Sequence, residues 1–199
     1  MPLLIDPWSL PDPVQDCAPS EGVRVAVLAG GCFWCTEAVF TALDGVTDVK
    51  PGYAGDSSLT ADYRTVCSGR TNHAEVIKIT YDAAKLSYGQ LLKLFFGVAH
   101  DPTQKDRQGN DVGRQYRSAI FYHTPEEQAV ARAYIRQLDA AKIYSGPIMT
   151  SLEPLEAFYE AEPEHHDYAA RNPHSPYIAH VSTPKVEKLM LYFPERLKR

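Results

Sequence analysis

VRVAVLAGGCFWCTEAVFTAL, residues 23–43, decides the fold. Val23, Val25, Val27 and Leu28 form an apolar, β-branched run that predicts a buried strand. Ala38, Val39, Phe40 and Leu43 then recur with helical spacing. Gly30 and Gly31 allow the sharp turn from strand to helix. Cys32 falls at or just before the helix N-terminus, where free N–H groups and the helix dipole favour a thiolate and lower the thiol pKa. Phe33 and Trp34 follow it directly, which suggests a nucleophile beside a small apolar pocket. A plain buried cysteine is the alternative, since free cysteines are among the most buried side chains. The turn, the helix start and Cys35 three residues on raise the reactive reading to equal standing.

Outward from this unit, residues 46–53 predict a second strand interrupted by Pro51. A long polar connection follows, holding Tyr63, Cys67 and Gly69. Residues 74–81 alternate as a third strand. Ser87 with Gln90 has the capping-box signature and opens a helix through Val98. A second polar loop runs from Asp101 to about Tyr116, ahead of a fourth strand at 117–122. Thr124-Pro125-Glu126-Glu127 starts a helix that reaches about Lys142. Beyond it, residues 148–155 suggest an edge strand, and 163–171 and 184–192 short helices. The order βαββαβ predicts an α+β, ferredoxin-like two-layer sandwich with C-terminal helical extensions. Residues 1–21, rich in proline, form an N-terminal arm carrying Cys17, expected to be mobile. Residues 22–199 form the catalytic domain, with a tail from about 172.

That topology brings the turn at Cys32, the segment 63–75 and the loop 101–116 to one edge of the sheet. Loops of about 15 residues in a compact domain are usually functional. Glu75 stands at the start of the third strand beside Val76 and Ile77, where desolvation would raise its pKa and suit it to general acid work. An ordinary exposed strand-edge glutamate is the competing reading. Tyr63 and Tyr116 offer phenolic donors, although the chain has twelve tyrosines. Asp111 reads most simply as making an Asx-turn. Cys32, Cys35, Cys67 and His73 lack the second tight ligand pair usual in a zinc site, so no metal is expected. His165-His166-Asp167 reads as a solvated helix face.

The 199 residues are 44% hydrophobic, enough for a sizeable core. A net charge of -5 gives no footprint for nucleic acid or anionic membrane. No stretch approaches the roughly 20 apolar residues of a membrane span. Residues 1–10 have no signal-peptide pattern, which predicts a cytoplasmic protein, where cysteines tend to be catalytic, redox-active or metal-bound.

GGCFWCTEAVF (30–40), GYAGD (52–56), DYRTVCSGRTNHAEVIKITYD (62–82), SYGQLLKLFF (87–96), HDPTQKDRQGNDVGRQYRSAIFY (100–122) and FYEAEPEHHDY (158–168) together resemble the A-type peptide-methionine sulfoxide reductases. The resemblance runs from about Val25 to Pro173. It implies the ferredoxin-like fold and the following roles. Cys32 is the nucleophile on the sulfoxide sulfur, and Glu75 is the acid that protonates the oxygen. Tyr63 and Tyr116 donate to that oxygen, Asp111 orders the site, and Phe33 and Trp34 wall the methyl pocket. Cys67 is structural. Also implied are action on the S epimer, free or in proteins, electrons from thioredoxin, and no cofactor; a monomer is expected. Many members have Gly where this chain has Cys35 and carry resolving cysteines in the C-terminal tail. Here no cysteine follows Cys67, so Cys35 is the expected resolving thiol, within disulfide reach at i+3. Cys17 is second and an external thiol third. A general thioredoxin-like dithiol–disulfide oxidoreductase is the alternative function, since strand, Cys-x-x-Cys and helix is also the thioredoxin arrangement.

Overall fold

The computed structural model describes residues 5–199. In chain order the elements are β1 (Val23–Gly30), α1 (Phe33–Thr41), β2 (Val46–Ala54), α2 (Tyr63–Cys67), β3 (Ala74–Asp82) and α3 (Tyr88–Leu94). There follow β4 (Arg107–Gln108), β5 (Asp111–Val112), β6 (Ser118–Tyr122), α4 (Pro125–Ala140), β7 (Ser151–Pro154), β8 (Tyr159–Glu160), α5 (Tyr168–Arg171) and α6 (Thr183–Tyr192). Six strands make one mixed sheet in the order β7-β6-β1-β3-β2-β8, every pair antiparallel except β6–β7. The architecture is α+β.

Side chains alternate across the sheet with period two. Ala26, Leu28, Tyr53, Ile77, Ile79 and Ile120 share the main core with apolar side chains of α1, α3, α4 and α6. Val27, Ala29, Ala54, Val76 and Phe121 face the other way, under Leu155 and Phe158 of the link between β7 and β8. Odd-numbered β3 positions therefore point at the helices, and Glu75 is one of them.

The expected strands and long helices are present. Pro51 does not interrupt β2; its carbonyl accepts from Ala161 N–H at 2.9 Å, so the missing N–H costs little next to the two-residue edge strand β8. The short elements α2, β4, β5 and β8 have no periodic signal of their own. The last helix is preceded by a π-helical turn, Ile178–Ser182, with Pro184 just beyond it.

The described part of the arm is bound to the domain, unlike the mobile arm expected. Ile5 and Leu10 are buried, and Pro11 O accepts from Tyr134 Oη at 2.8 Å. Lys93 Nζ meets Asp12 Oδ1 at 2.8 Å. Asp16 takes Ser87 Oγ–H at 2.6 Å and Gly89 N–H at 2.8 Å, reinforcing the N-terminus of α3. Cys17 is thereby fixed among Glu126, Glu127, Asp16 and Arg24, and burial followed by these acids pushes its thiol up to about 11. Arg24 is the second residue of β1 and Gly30 the last, about 20 Å away at strand rise. The runner-up role of Cys17 as resolving thiol is corrected accordingly: it sits at the opposite end of β1 from Cys32.

Candidate active site

Gly31 makes the turn between β1 and α1 with φ +88°, a conformation that L side chains rarely adopt. A Cβ there would also come within 2.7 Å of Gln108 Cβ, so the loop carrying Asp111 lies directly on the turn. Gln108 is tied to the Asp101 backbone through both ends of its amide, at 2.9 and 3.0 Å. Cys32 is the N-cap of α1, as expected, and Cys35 lies in the first turn. The pairing of β1 with β3 ends at Leu28 and Ile77. Continued by two residues it puts Glu75 opposite Gly30, next to the turn. Glu75 Oε1 accepts Phe33 N–H, one of the free donors of the helix start, at 3.1 Å.

Glu75 is buried at 2% exposure and has no cation partner among the described residues. Burial, and after it the charge of Asp111, pushes its carboxyl up to about 8, against the Phe33 N–H bond, so it is protonated at neutral pH. The exposed-glutamate reading is excluded. Tyr63 and Tyr116 are half-buried, both held neutral first by burial and then by nearby negative groups, Glu75 among them. Both hydroxyls reach Cys67, whose thiol is raised first by burial and then by Glu75. Cys67 therefore lies within the site as the partner of its two phenols.

The thiols behave differently from the sequence expectation. Burial pushes Cys32 well up, helped by its hydrogen bond to Cys35 and by Glu75. Cys35 is lowered to about 6, chiefly because Cys32 donates to it. The two sulfurs are hydrogen-bonded and titrate as a pair, so that once its first proton is lost the dithiol shares the one that remains. Burial at 9% exposure outweighs the helix end at Cys32.

The aromatic walls are in place, and further residues of the C-terminal third complete them. Phe33 is fully buried, its ring 5.8 Å from Tyr53 and 6.4 Å from Tyr63. Trp34 is half-buried, and Tyr168 of α5 stacks on it at 3.8 Å. Trp34 Nε1–H donates to His165 Nδ1 at 3.2 Å. His165 is 5% exposed, which corrects the solvated-face reading of that segment. Glu162 accepts Tyr53 Oη–H and Tyr63 N–H, each at 2.9 Å, and so anchors α2. Tyr177 Oη donates to Asp111 Oδ2 at 2.6 Å and lies 3.7 Å from Cys35 Sγ. Asp111 is thus a site residue, and Tyr177, His165 and Glu162 are members that the sequence reading missed. Chain separation explains the omission, since the Cys35–Tyr177 and Trp34–His165 contacts span 142 and 131 residues.

The one cluster with metal-ligand types among the described residues is Glu162, Glu164 and His165. Both Glu162 oxygens and His165 Nδ1 are already engaged as hydrogen-bond acceptors, leaving a poor ligand set. His73 is turned to Ser57 O at 2.9 Å and does not join the cysteines in such a cluster. A protonated carboxyl, two phenols and a thiol pair facing one another suit protonation of an oxygen coupled to attack by sulfur.

The family described as peptide methionine sulfoxide reductase matches residues 24–196. The chain is similar to peptide methionine sulfoxide reductase MsrA 2 of Synechocystis sp., at 49% identity over 98% of this chain and 94% of that protein. Among solved structures it is similar to Mxr1 of Saccharomyces cerevisiae in reduced form, with TM-score 0.71 and 32% identity over 84% of this chain and 94% of that one. Mxr1 in complex with Trx2 is a further match, with TM-score 0.50 and 26% identity over 81% and 94% of the two chains.

Proposed function

The chain belongs to the peptide methionine sulfoxide reductase family, and from that premise we propose the roles of its individual residues in the reaction. It reduces methionine sulfoxide to methionine in the repair of oxidised proteins, and a thioredoxin-type reductant returns it to the dithiol. Among the described residues no helix is long and apolar enough to cross a membrane.

The observation that carries the residue roles is the neutral, buried Glu75 beside the Cys32–Cys35 pair. The sulfoxide oxygen accepts from Tyr63 and Tyr116 and takes the Glu75 proton, because an unprotonated oxygen leaves poorly. The proton shared by the sulfurs passes to Cys35, and the Cys32 sulfur attacks the substrate sulfur. The protonated oxygen passes from the substrate sulfur to the Cys32 sulfur, the bond between the two sulfurs breaks with its electron pair on the substrate sulfur, and methionine departs leaving Cys32 as a sulfenic acid. Cys35 then displaces the hydroxyl group, which leaves as water with the Cys35 proton, and the disulfide forms. Two protons enter from the resting site and two leave in the water, with Glu75 ending as a carboxylate. Trp34 and Phe33 would receive the methyl group, and Asp111 would hold the hydroxyl network through Tyr177. The electrons come from the cysteines, so no cofactor is proposed. Reaction with the S epimer, a cytoplasmic location and a catalytic unit of 22–199 braced by the arm are parts of the same proposal. The order β6-β1-β3-β2, antiparallel throughout, supports reading the sheet centre as ferredoxin-like.

A single turnover of the pre-reduced protein with each epimer of methionine sulfoxide tests these roles, with methionine and free thiols counted together. Methionine from the S epimer alone, with two thiols lost, is expected. Methionine from neither epimer would overturn the assignment of Cys32 and Glu75 and favour a general dithiol exchanger.

A further inference from the structure

One phenol joins Cys35 to the loop that carries Asp111. The Cys35 thiol donates to Tyr177 Oη at 3.7 Å, and Tyr177 Oη donates to Asp111 Oδ2 at 2.6 Å. Cys35 stands in the first turn of α1, Asp111 on β5, and Tyr177 just before the π-helical turn Ile178–Ser182. An edge-on contact with the Trp34 ring, 5.9 Å between centroids, and the buried Ile178 next in the chain hold the phenol in place. A phenol has one hydrogen beside its oxygen lone pairs. Asp111 takes that hydrogen in a bond as short as charge-assisted ones are. Tyr177 therefore meets the sulfur with lone pairs alone. Cys35 is 1% exposed, so the phenol stands where water would serve an exposed thiol.

The proton that remains on the dithiol has two hydrogen-bonded places. On Cys32 it bridges the two sulfurs, and the charge rests on Cys35. On Cys35 it goes to Tyr177, and the charge rests on Cys32, the N-cap of α1. The other titratable groups bearing on the pair are Asp111 behind the phenol, Glu75, whose carboxyl is neutral, and Lys185 of α6, whose charge favours a thiolate at Cys35. We propose that Tyr177 is a positioning residue for this proton: held by Asp111 as an acceptor, it draws the proton onto Cys35 and leaves Cys32 as the attacking thiolate. The inference rests on the roles proposed above and gives Asp111 a defined task in them, which is to keep the phenol hydrogen off the sulfur. The proton moves only between the two sulfurs, and none enters or leaves the pair in this shift.

The test is a nuclear magnetic resonance titration of the reduced protein, isotope-labelled at the cysteine Cβ carbons, whose shifts separate thiol from thiolate at each residue. Tyr177→Phe keeps the ring against Trp34 and removes the acceptor. The ratio of Cys32 thiolate to Cys35 thiolate in the singly ionised dithiol is expected to fall about fivefold, the worth of one hydrogen bond. Asp111→Ala is expected to lower it as well, because the freed phenol hydrogen turns to Cys35 and favours charge there. The Cys17 signal, from the far end of β1, should stay in place and checks in the same spectra that each variant is folded. Methionine formation in a single turnover should slow by up to the same factor in Tyr177→Phe, with the yield still one equivalent. A ratio unchanged or raised in either folded variant overturns the proposal. The spectra locate the proton without any sulfoxide, so failure of the reductase roles and failure of this inference are separate results.

Discussion

At the scale of single residues, Glu75 works by being uncharged. Its replacement by Gln keeps the shape and the Phe33 N–H bond but removes the proton. Methionine formation in a single turnover is expected to fall by about 10²–10⁴-fold. For the unsubstituted protein the acid-dependent limb of that rate should decline as pH rises through about 8, where Glu75 ionises. A limb unchanged by Glu75→Gln would show that another group supplies the proton. Cys32 is legible in the local pattern, at a Gly-Gly turn before a helix, whereas Glu75 at a strand start and Asp111 in a long loop suit an exposed glutamate and an Asx-turn as well, and only the family resemblance singles them out. Tyr177 and His165 are not legible, because nothing around them signals which distant element they will meet. His165 even lies in a polar run, and only the Trp34 indole explains why it is buried.

At the scale of elements, the N-cap and first turn of α1 carry both thiols of the proposed relay. Cys35→Ser is expected to leave one equivalent of methionine per protein and to abolish turnover driven by thioredoxin; sustained multiple turnover would refute its role. The arm is a separate matter of stability. Asp16→Ala removes two hydrogen bonds at the start of α3, and urea unfolding should show a loss of about 1–2 kcal/mol with the single-turnover rate unchanged. Alternation and capping make the main strands and helices α3 and α4 readable from the amino-acid order alone. The two-residue strands β4, β5 and β8 are too short to carry a period, and long-range contacts such as Ala161 N–H to Pro51 O fix them instead.

For the molecule as a whole, two buried carboxyls couple stability to pH. Glu37 is raised to about 7 by burial and then by Asp167, and its Oε2 has no hydrogen-bond partner; Glu75 is raised to about 8. Both folded values lie above the unfolded value of 4.5, so the folded state binds these protons more tightly. Their contribution is full below 4.5 and is lost as pH rises through 7 and 8. Between the unfolded and folded values the slope is about 1.4 kcal/mol per pH unit for each group. Urea unfolding of the Glu37→Gln, Glu75→Gln protein across that range should show a shallower decline, and an identical slope would contradict the burial account. The stacking of Tyr168 on Trp34 has an optical consequence. The chain has two tryptophans, and Trp8 lies on the arm, 70% exposed. With Trp8 exchanged for Phe, the remaining indole emission comes from the mouth of the site alone. Tyr168 and His165 flank that fluorophore, so a ligand that displaces either ring from Trp34 would change its colour and brightness, and the protein carries its own dye for reporting on the site.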